Sequence, residues 1–242
     1  GYSAEGLGVD ATVRRTENFK FLSEREPTYV DATSSSLNFN DKVLNFTPAL
    51  TKQHHSNLAN IYVYQSQFQV VMDESTQINK FGEIGGQFDF FYDFKKGTAL
   101  GGKYGTKINL NVSSWFNLKA KYRYTNNAGE NNLNYQAELF NANEKYFSDY
   151  NLEIKKKISE KWHTGFNYVN QYYNKPWIED ASTDVNTNII TAEAIYNFAE
   201  TKSIRFEAEH MWADADFKNW AGGTLELDIN DTYSFYIWDI IN

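Results

Sequence analysis

The stretch FNLKAKYRY, residues 116–124, alternates apolar and polar side chains over its whole length. Apolar residues fill the first position and every second position after it, whereas Asn, Lys or Arg fills each position between them. Successive side chains of a β-strand point to opposite faces of the sheet. The stretch therefore predicts a strand with one apolar face and one cationic face.

The same alternation recurs along the chain and predicts an all-β fold. It is clearest over 84–94 and 204–212, and residues 58–70, rich in Tyr and Gln, are a further predicted strand. We predict an antiparallel, up-and-down sheet of roughly 10–12 strands. Two polar, irregular segments, 23–55 and 126–145, are predicted as long loops, and the second can contain a short strand at 135–140.

The length of the alternations favours a transmembrane β-barrel that occupies 1–242 as a single domain. Several run for nine residues or more, close to the roughly 9–11 residues of a membrane-crossing strand and longer than the typical 5–6 residues of soluble strands. Their apolar positions carry no charge. The alternative is a soluble or surface-exposed β-sheet module that binds glycan or peptide through the aromatic loops 172–177 and 212–220.

Composition excludes several other classes of protein. A net charge of −8 argues against a nucleic-acid partner, and a chain without cysteine has neither disulfides nor thiolate metal sites. No run of 18 apolar residues exists and the mean hydropathy is −0.62, which argues against helical membrane spans. Because the chain starts at Gly1 without Met, we expect a mature form from which the targeting segment is absent.

The predicted connections differ in length, as the periplasmic turns and extracellular loops of outer-membrane barrels do. Short connections are predicted at 113–115, 158–161, 199–202 and 230–231, and longer ones at 126–145, 175–186 and 213–221. Tryptophans beside both kinds of connection are candidate membrane-interface aromatics. They are Trp115 and Trp162 beside short connections, and Trp177, Trp212 and Trp220 beside long ones.

Charged residues in the polar register are the candidate lumen lining. The basic wall comprises Lys107, Lys119, Lys121 and Arg123, and the acidic wall comprises Glu193, Glu207, Glu209, Glu226 and Asp228, with Arg205 among them. Opposed walls of this kind tune selectivity in porin-like pores. Alternatively, the charges pair across strands and fill the interior, as small barrels do.

Motifs for catalysis or cofactor binding are weak, and we expect neither enzymatic activity nor a cofactor or metal. Residues 97–103, GTALGGK, match the start of a phosphate-binding loop, but Tyr104 replaces the required Ser or Thr and a strand rather than a helix is predicted next. The pair His54-His55 is expected to be solvated in a loop. His210 lies in the apolar register and is expected to pack at the membrane interface.

Two segments, NFTPALTKQHHSNLANIYVYQ at 45–65 and GEIGGQFDFFYDFKKGTALGGKYGTKINLN at 82–111, resemble an outer-membrane protein family of Bacteroidota that is described only as a domain of unknown function. The resemblance implies an integral outer-membrane barrel of a Gram-negative bacterium and supplies no catalytic residues. The partners it implies are outer-membrane lipid or lipopolysaccharide and other outer-membrane or lipoprotein subunits. Family members are longer, and this chain ends in Ile240-Ile241-Asn242 rather than an aromatic residue. We therefore expect part of a larger barrel or a C-terminal continuation.

The sequence thus predicts a non-enzymatic outer-membrane protein that is either a structural subunit of an envelope assembly or a narrow passive pore.

Overall fold

The computed structural model describes residues 1–18, 51–72, 77–127, 130–216 and 218–242, with the side chains of 123–127 and 130–134 outside the description. Strands dominate these residues. They are β1 (Tyr2–Ala4), β2 (Leu7–Thr16), β3 (Val70–Met72), β4 (Asn79–Phe81), β5 (Glu83–Phe94), β6 (Thr106–Asn127), β7 (Glu130–Lys157), β8 (Trp162–Tyr173), β9 (Val185–Ala199), β10 (Lys202–Ala213), β11 (Asn219–Asp228) and β12 (Ser234–Ile241).

Ten of these strands form one antiparallel sheet in the order β1-β2-β5-β6-β7-β8-β9-β10-β11-β12, and β3 pairs with β4 in a separate hairpin. Sequence neighbours are therefore also neighbours in the sheet, apart from the step from β2 to β5. The prediction of an all-β, antiparallel, up-and-down sheet is confirmed. Within the described residues β1 and β12 lie at opposite edges without pairing, so the predicted closed barrel is not formed by these strands.

Helical structure in the described residues is short. It consists of a 3-10 turn, Leu58–Asn60, and one helix, α1 (Lys175–Glu179). The helix begins at Asn174, whose side chain accepts a hydrogen bond from the backbone N–H of Trp177, and ends at Asp180 in the left-handed conformation. Neither element has the length or the apolar content that a membrane-crossing helix requires.

The predicted long loop at 126–145 is wrong. Most of it belongs to β7, which pairs with β6 from Lys156 opposite Thr106 to Glu130 opposite Asn127. Asn-rich sequence disfavours strands on average, but cross-strand pairing overrides that preference. The predicted loop at 23–55 falls outside the described residues except for 51–55. The predicted short connection at 113–115 lies inside β6.

The opening alternation at 116–124 does not stay in one register. The pairing of β6 with β7 shifts between Trp115 and Phe116, between Phe116 and Leu118 and again between Leu118 and Ala120. Such irregularities redirect side chains relative to the pleat. Asn117 and Leu118 are both fully buried although they are adjacent in sequence. The register shifts therefore fall within the predicted two-faced strand, and the pairing with β7 is regular on either side of them, up to Trp115 and from Ala120 onward.

The two ends of the sheet differ. One end carries the connections 5–6, 95–105, 158–161, 200–201 and 229–233, and we call it the short-connection end. The other carries the chain from β2 to β5, α1 with its flanks, and the projecting β6–β7 hairpin, and we call it the long-connection end. The predicted difference in connection length is present only in part. The segment from β2 to β5 and the connection that carries α1 are long, but β6 and β7 join in a hairpin, the connection 214–218 is no longer than 229–233, and the glycine-rich 95–105 is long at the short-connection end.

One face of the sheet, which we call the outer face, is apolar across its width. Its middle row of paired residues crosses nine strands from β2 to β12 and contains no Asp, Glu, Lys or Arg. The row is Val9, Phe90, Leu110, Leu152, Tyr168, Ile190, His210, Ala221 and Ile241. The next row is equally apolar except at the edge strand: Leu7, Tyr92, Ile108, Ile154, Phe166, Ala192, Ala208, Gly223 and Asp239.

The opposite face, which we call the concave face, is covered by residues 51–69, which we call the strap. The prediction of a strand over 58–70 is wrong for most of that range, because strand pairing begins only at Val70. The strap nevertheless has the alternation of an extended chain: Tyr62, Tyr64, Ser66 and Phe68 are buried, while Ile61 and Val63 are exposed.

The hydrophobic core lies between the strap and the long-connection half of the concave face. Leu58, Ala59, Tyr62 and Tyr64 of the strap pack there against sheet residues. The sheet residues of this cluster are Trp115, Tyr146, Phe147, Val169, Tyr173, Val185, Ile189 and Met211. The other half of the concave face, toward the short-connection end, is charged.

Candidate functional site: the concave face beneath the strap

The predicted basic and acidic walls meet in a single row on the concave face. The row crosses six neighbouring strands and consists of Asp93, Lys107, Lys155, Gly165, Glu193 and Glu207. Two lysines and two glutamates are thus separated only by Gly165, so the walls lie side by side rather than facing each other. A Cβ at Gly165 would stand 3.2 Å from Oε1 of Glu193, so glycine leaves room for this carboxylate.

Arg205 is the centre of the acidic group. Its Nε donates to Glu193 at 2.5 Å, Nη1 to Glu226 at 3.2 Å, and Nη2 to Glu207. The planar guanidinium presents five N–H donors, which suits several carboxylates at once. The alternative in which the charges pair across strands therefore describes this group.

His55 of the strap completes the group around Arg205. Its Nε2 lies 2.5 Å from Nη2 of Arg205 and 3.4 Å from Glu207. The ligand atoms of His55, Glu193 and Glu207 lie within 4.8 Å of one another, a spacing that could hold a metal ion. The guanidinium of Arg205 already lies among those atoms, so the arrangement neutralises the carboxylates with an arginine.

Glu209 anchors the strap to the sheet. It is buried, and its carboxylate accepts hydrogen bonds from the Ser56 hydroxyl at 2.6 Å and from the backbone N–H groups of Asn57 at 3.2 Å and Leu58 at 2.9 Å. A buried carboxylate is tolerated when it accepts several hydrogen bonds. Glu209 thus fixes the turn Leu58–Asn60 against β10.

A second set of contacts holds the strap to β7 and β8. His54 Nε2 lies 2.6 Å from Asp149 Oδ2, and both side chains are almost completely buried. Gln171 donates to the same carboxylate and to the carbonyl of Ala59, each at 2.9 Å. The prediction that the His54-His55 pair is solvated is wrong for His54, because the strap turns this side chain inward while His55 stays exposed.

Glu83 holds the strap at the long-connection end. Its buried carboxylate accepts hydrogen bonds from Arg14 at 2.6 Å, from the Tyr64 hydroxyl at 2.6 Å and from the backbone N–H of Gln67 at 2.7 Å. Burial, and then the charge of Glu83, raise the pKa of Tyr64 well above its ordinary value. The phenol therefore stays protonated and donates.

Two cavities border this arrangement. The larger, about 740 Å³, lies at the short-connection end, and six lysines and His163 are among its lining residues. A cavity of about 430 Å³ lies along the strap, between Lys52, Tyr62 and Asp149. We call the larger one the lysine cavity.

The remaining predicted lumen residues lie in two places. Asp228 is on β11 near the short-connection end, where it accepts a hydrogen bond from Ser203 at 2.5 Å. Lys119 and Lys121 are exposed and lie on the part of β6 beyond its last pair with β5, Asn117 opposite Glu83. The structure does not bring these two lysines to Lys107, because they lie on the same strand at its other end, on the projecting hairpin. The side chain of Arg123 lies outside the described residues.

The five candidate interface tryptophans divide into two sets. Trp162 and Trp212 are 42% and 45% exposed on the outer face, toward opposite ends of the sheet. Trp115 is completely buried on the concave face, stacked on Tyr64 with ring centroids 5.9 Å apart. Trp177 and Trp220 pack against the same core. Trp115 therefore cannot contact lipid, and the loops around Trp177 and Trp220 use these rings for packing.

Neither His210 nor the glycine-rich segment 97–103 forms part of this site. His210 lies in the middle row of the outer face, with its ring 4.3 Å from that of Trp212. Residues 97–103 lie in the connection between β5 and β6, and the strand β6 follows. A phosphate-binding loop requires a helix at that point, so the motif is a hairpin connection.

The strap is the part of the site that sequence reasoning missed. Two signals pointed to it: the alternation of Tyr62, Tyr64, Ser66 and Phe68, and the histidine pair. The alternation predicts a strand, because a chain that pairs within a sheet and a chain that packs across one have the same pattern in sequence.

Comparison with known proteins identifies the family to which the chain belongs. A family of unknown function (DUF6029) matches the chain over residues 1–242. No curated protein and no solved structure matches it.

Proposed function

Because the chain belongs to this family of unknown function, we propose a role from its surface: it is a non-enzymatic, integral outer-membrane β-sheet protein whose outer face contacts lipid. The observation that carries the proposal is the middle row of the outer face, which spans nine strands without a charged residue. A soluble sheet buries such a face against another layer. Among the residues that the structure describes, the strap covers the polar face instead.

The height of the apolar band supports placement in a bilayer. Trp162 pairs with Tyr196, which pairs with Ile204, and these three mark the row at the short-connection end. Ile204 to Trp212 then covers nine residues of β10, close to the roughly 9–11 residues of a tilted crossing strand. Lys156, in the row of Phe206, is the charged residue that this span includes near the short-connection end. Exposed tryptophans at both ends of that span fit the two aromatic girdles of membrane barrels.

The strap supports a structural subunit over a passive pore. It fills the long-connection half of the concave face with Leu58, Tyr62 and Tyr64 and is fastened there by Glu83, Asp149 and Glu209. An open channel needs a continuous aqueous path, which this packing blocks. Under this proposal, ions pass only if the strap dissociates from the concave face.

The free edges require further strands under this proposal. Tyr236, Ile237 and Trp238 of β12 are each more than half exposed, and they point to both faces of the edge strand. Unpaired backbone groups in hydrocarbon are costly, so membrane sheets close on themselves. We infer that strands outside those described here complete the sheet.

Membrane fractionation and planar-bilayer recording test the proposal together. The protein should partition into the outer-membrane fraction, migrate differently on detergent gels before and after heating, and give no conductance steps. A Glu209→Ala variant, in which the strap is loosened, should give measurable steps. Quantitative recovery in the soluble fraction would exclude a membrane protein, and steady conductance by the unaltered protein would exclude the plugged subunit.

A further inference from the structure

The lysine cavity is lined by six lysines, which a purely structural sheet does not require. It measures about 740 Å³, within the roughly 300–1,000 Å³ of small-molecule sites. From its lining we infer that it binds a soluble polyanion, a molecule that carries two or more phosphate or carboxylate groups. This inference does not depend on the membrane placement proposed above.

The charge of the lining is opposite to that of the whole chain. Six lysines and three acidic residues give +6 − 3 = +3, in a protein whose net charge is −8. The lysines are Lys95, Lys96, Lys107, Lys155, Lys156 and Lys157, and the acidic residues are Glu5, Asp93 and Glu193. Like charges gathered around a concavity raise the local concentration of an oppositely charged ligand.

The three acidic residues are already paired. Glu5 lies 3.7 Å from Lys95, Asp93 lies 3.2 Å from Lys107, and Glu193 is bound by Arg205 at 2.5 Å. Lys96, Lys156 and Lys157 form no ion pair within the described part of the chain. Lys156 pairs with Thr106 and Thr164 in the register of the outer face. Lys96 and Lys157 thus remain available to a ligand that enters from the concave side, and two such ammonium groups favour a polyanion over a single anion.

The direction in which the cavity opens points to a soluble ligand. Lys107, Lys155 and Lys157 share one face of the sheet, and Lys157 pairs with His163. This is the concave face, because Lys155 lies in the same row as Glu193 and Glu207. A headgroup that belongs to a bilayer around the outer face would meet the other side of these strands.

Equilibrium binding of inorganic tripolyphosphate to the full chain in detergent tests the inference. We expect saturable binding that weakens with added salt and is about tenfold or more weaker in the double variant Lys96→Gln/Lys157→Gln, because two charge-assisted contacts are lost. The matched control is Lys161→Gln/Lys202→Gln, two exposed lysines at the same end that do not line the cavity. The control should bind as the unaltered chain does.

Three outcomes would overturn the inference: no saturable binding, equal weakening in both double variants, or tighter binding of short-chain phosphatidylglycerol than of tripolyphosphate. The last would show that the phosphate comes from lipid rather than from solution. A folded double variant is verified by its unchanged circular dichroism. If either neutral variant fails to fold, the single substitution Lys157→Glu gives the same comparison.

Discussion

At the scale of single residues, buried carboxylates on the concave face hold the strap against the sheet. Glu83, Asp149 and Glu209 are each buried, and each accepts a hydrogen bond from the strap. Burying a carboxylate costs free energy that only well-placed donors return. The placement of the strap is therefore determined by a few acceptors on β5, β7 and β10.

Replacement of Glu209 by Ala should release the strap without unfolding the sheet. The backbone N–H groups of Asn57 and Leu58 would lose their acceptor, and the buried donor of Leu58, left unsatisfied, would cost about 1–3 kcal/mol. Chymotrypsin should then cleave at Tyr62 or Tyr64 at least about tenfold faster, since cleavage follows the population of the open state. Glu200→Ala, at an exposed turn residue, is the control. Equal cleavage rates in the two variants would contradict the role of Glu209.

Asp216 gives the attachment of the strap at Tyr62 a dependence on pH. A hydrogen bond from Lys175 at 2.8 Å is the main cause that lowers the pKa of Asp216, and Tyr62 also donates to it at 2.8 Å. A lowered pKa contributes stability above the ordinary aspartate value, and this stability is lost as pH falls through the folded pKa. Unfolding midpoints between pH 6 and pH 2 should therefore fall less steeply in Asp216→Asn than in the unaltered chain. Parallel profiles would contradict this prediction.

At the scale of elements, the strap and the projecting hairpin show what sequence could and could not predict. The regular strands β5, β9 and β10 follow from alternation because both faces keep one register. The shifts after Trp115 are invisible in sequence, because FNLKAKYRY alternates whether or not a bulge redirects it. Likewise, the sequence predicts that Glu193, Glu207 and Arg205 share a face. The row that joins Glu193 and Glu207 to Lys107 and Lys155 depends on the pairing register between strands, which no single strand encodes.

Tyr64 is the residue through which the strap packs most tightly. Its ring lies 5.3 Å from Phe147 and 5.9 Å from Trp115, and its hydroxyl donates to Glu83. Tyr64→Ala should lower the free energy of unfolding by about 3–5 kcal/mol, whereas Tyr64→Phe, which keeps the ring, should lower it by about 1 kcal/mol. Urea unfolding followed by tryptophan fluorescence measures both. A larger loss in the Phe variant than in the Ala variant would show that the hydroxyl, not the ring, holds the strap.

At the scale of the whole molecule, the apolar and the polar face of the sheet differ in what covers them. The apolar outer face has no covering layer among the described residues, and the partly charged concave face holds the strap, a small core and the lysine cavity. The proposed membrane placement accounts for both faces at once. It also assigns the two ends of the sheet: the long-connection end is closed by the packed strap, and the short-connection end leaves the lysine cavity open.

Site-directed spin labelling in lipid bilayers tests the outer face most directly. The chain has no cysteine, so single cysteines can be placed at Phe166 and Leu225 on the outer face and at Lys155 and Thr224 on the concave face. Labels at the first two positions should collide with oxygen dissolved in lipid and be shielded from a water-soluble nickel reagent, and labels at the other two should show the reverse. Equal access of the nickel reagent to all four positions would contradict a lipid-facing sheet.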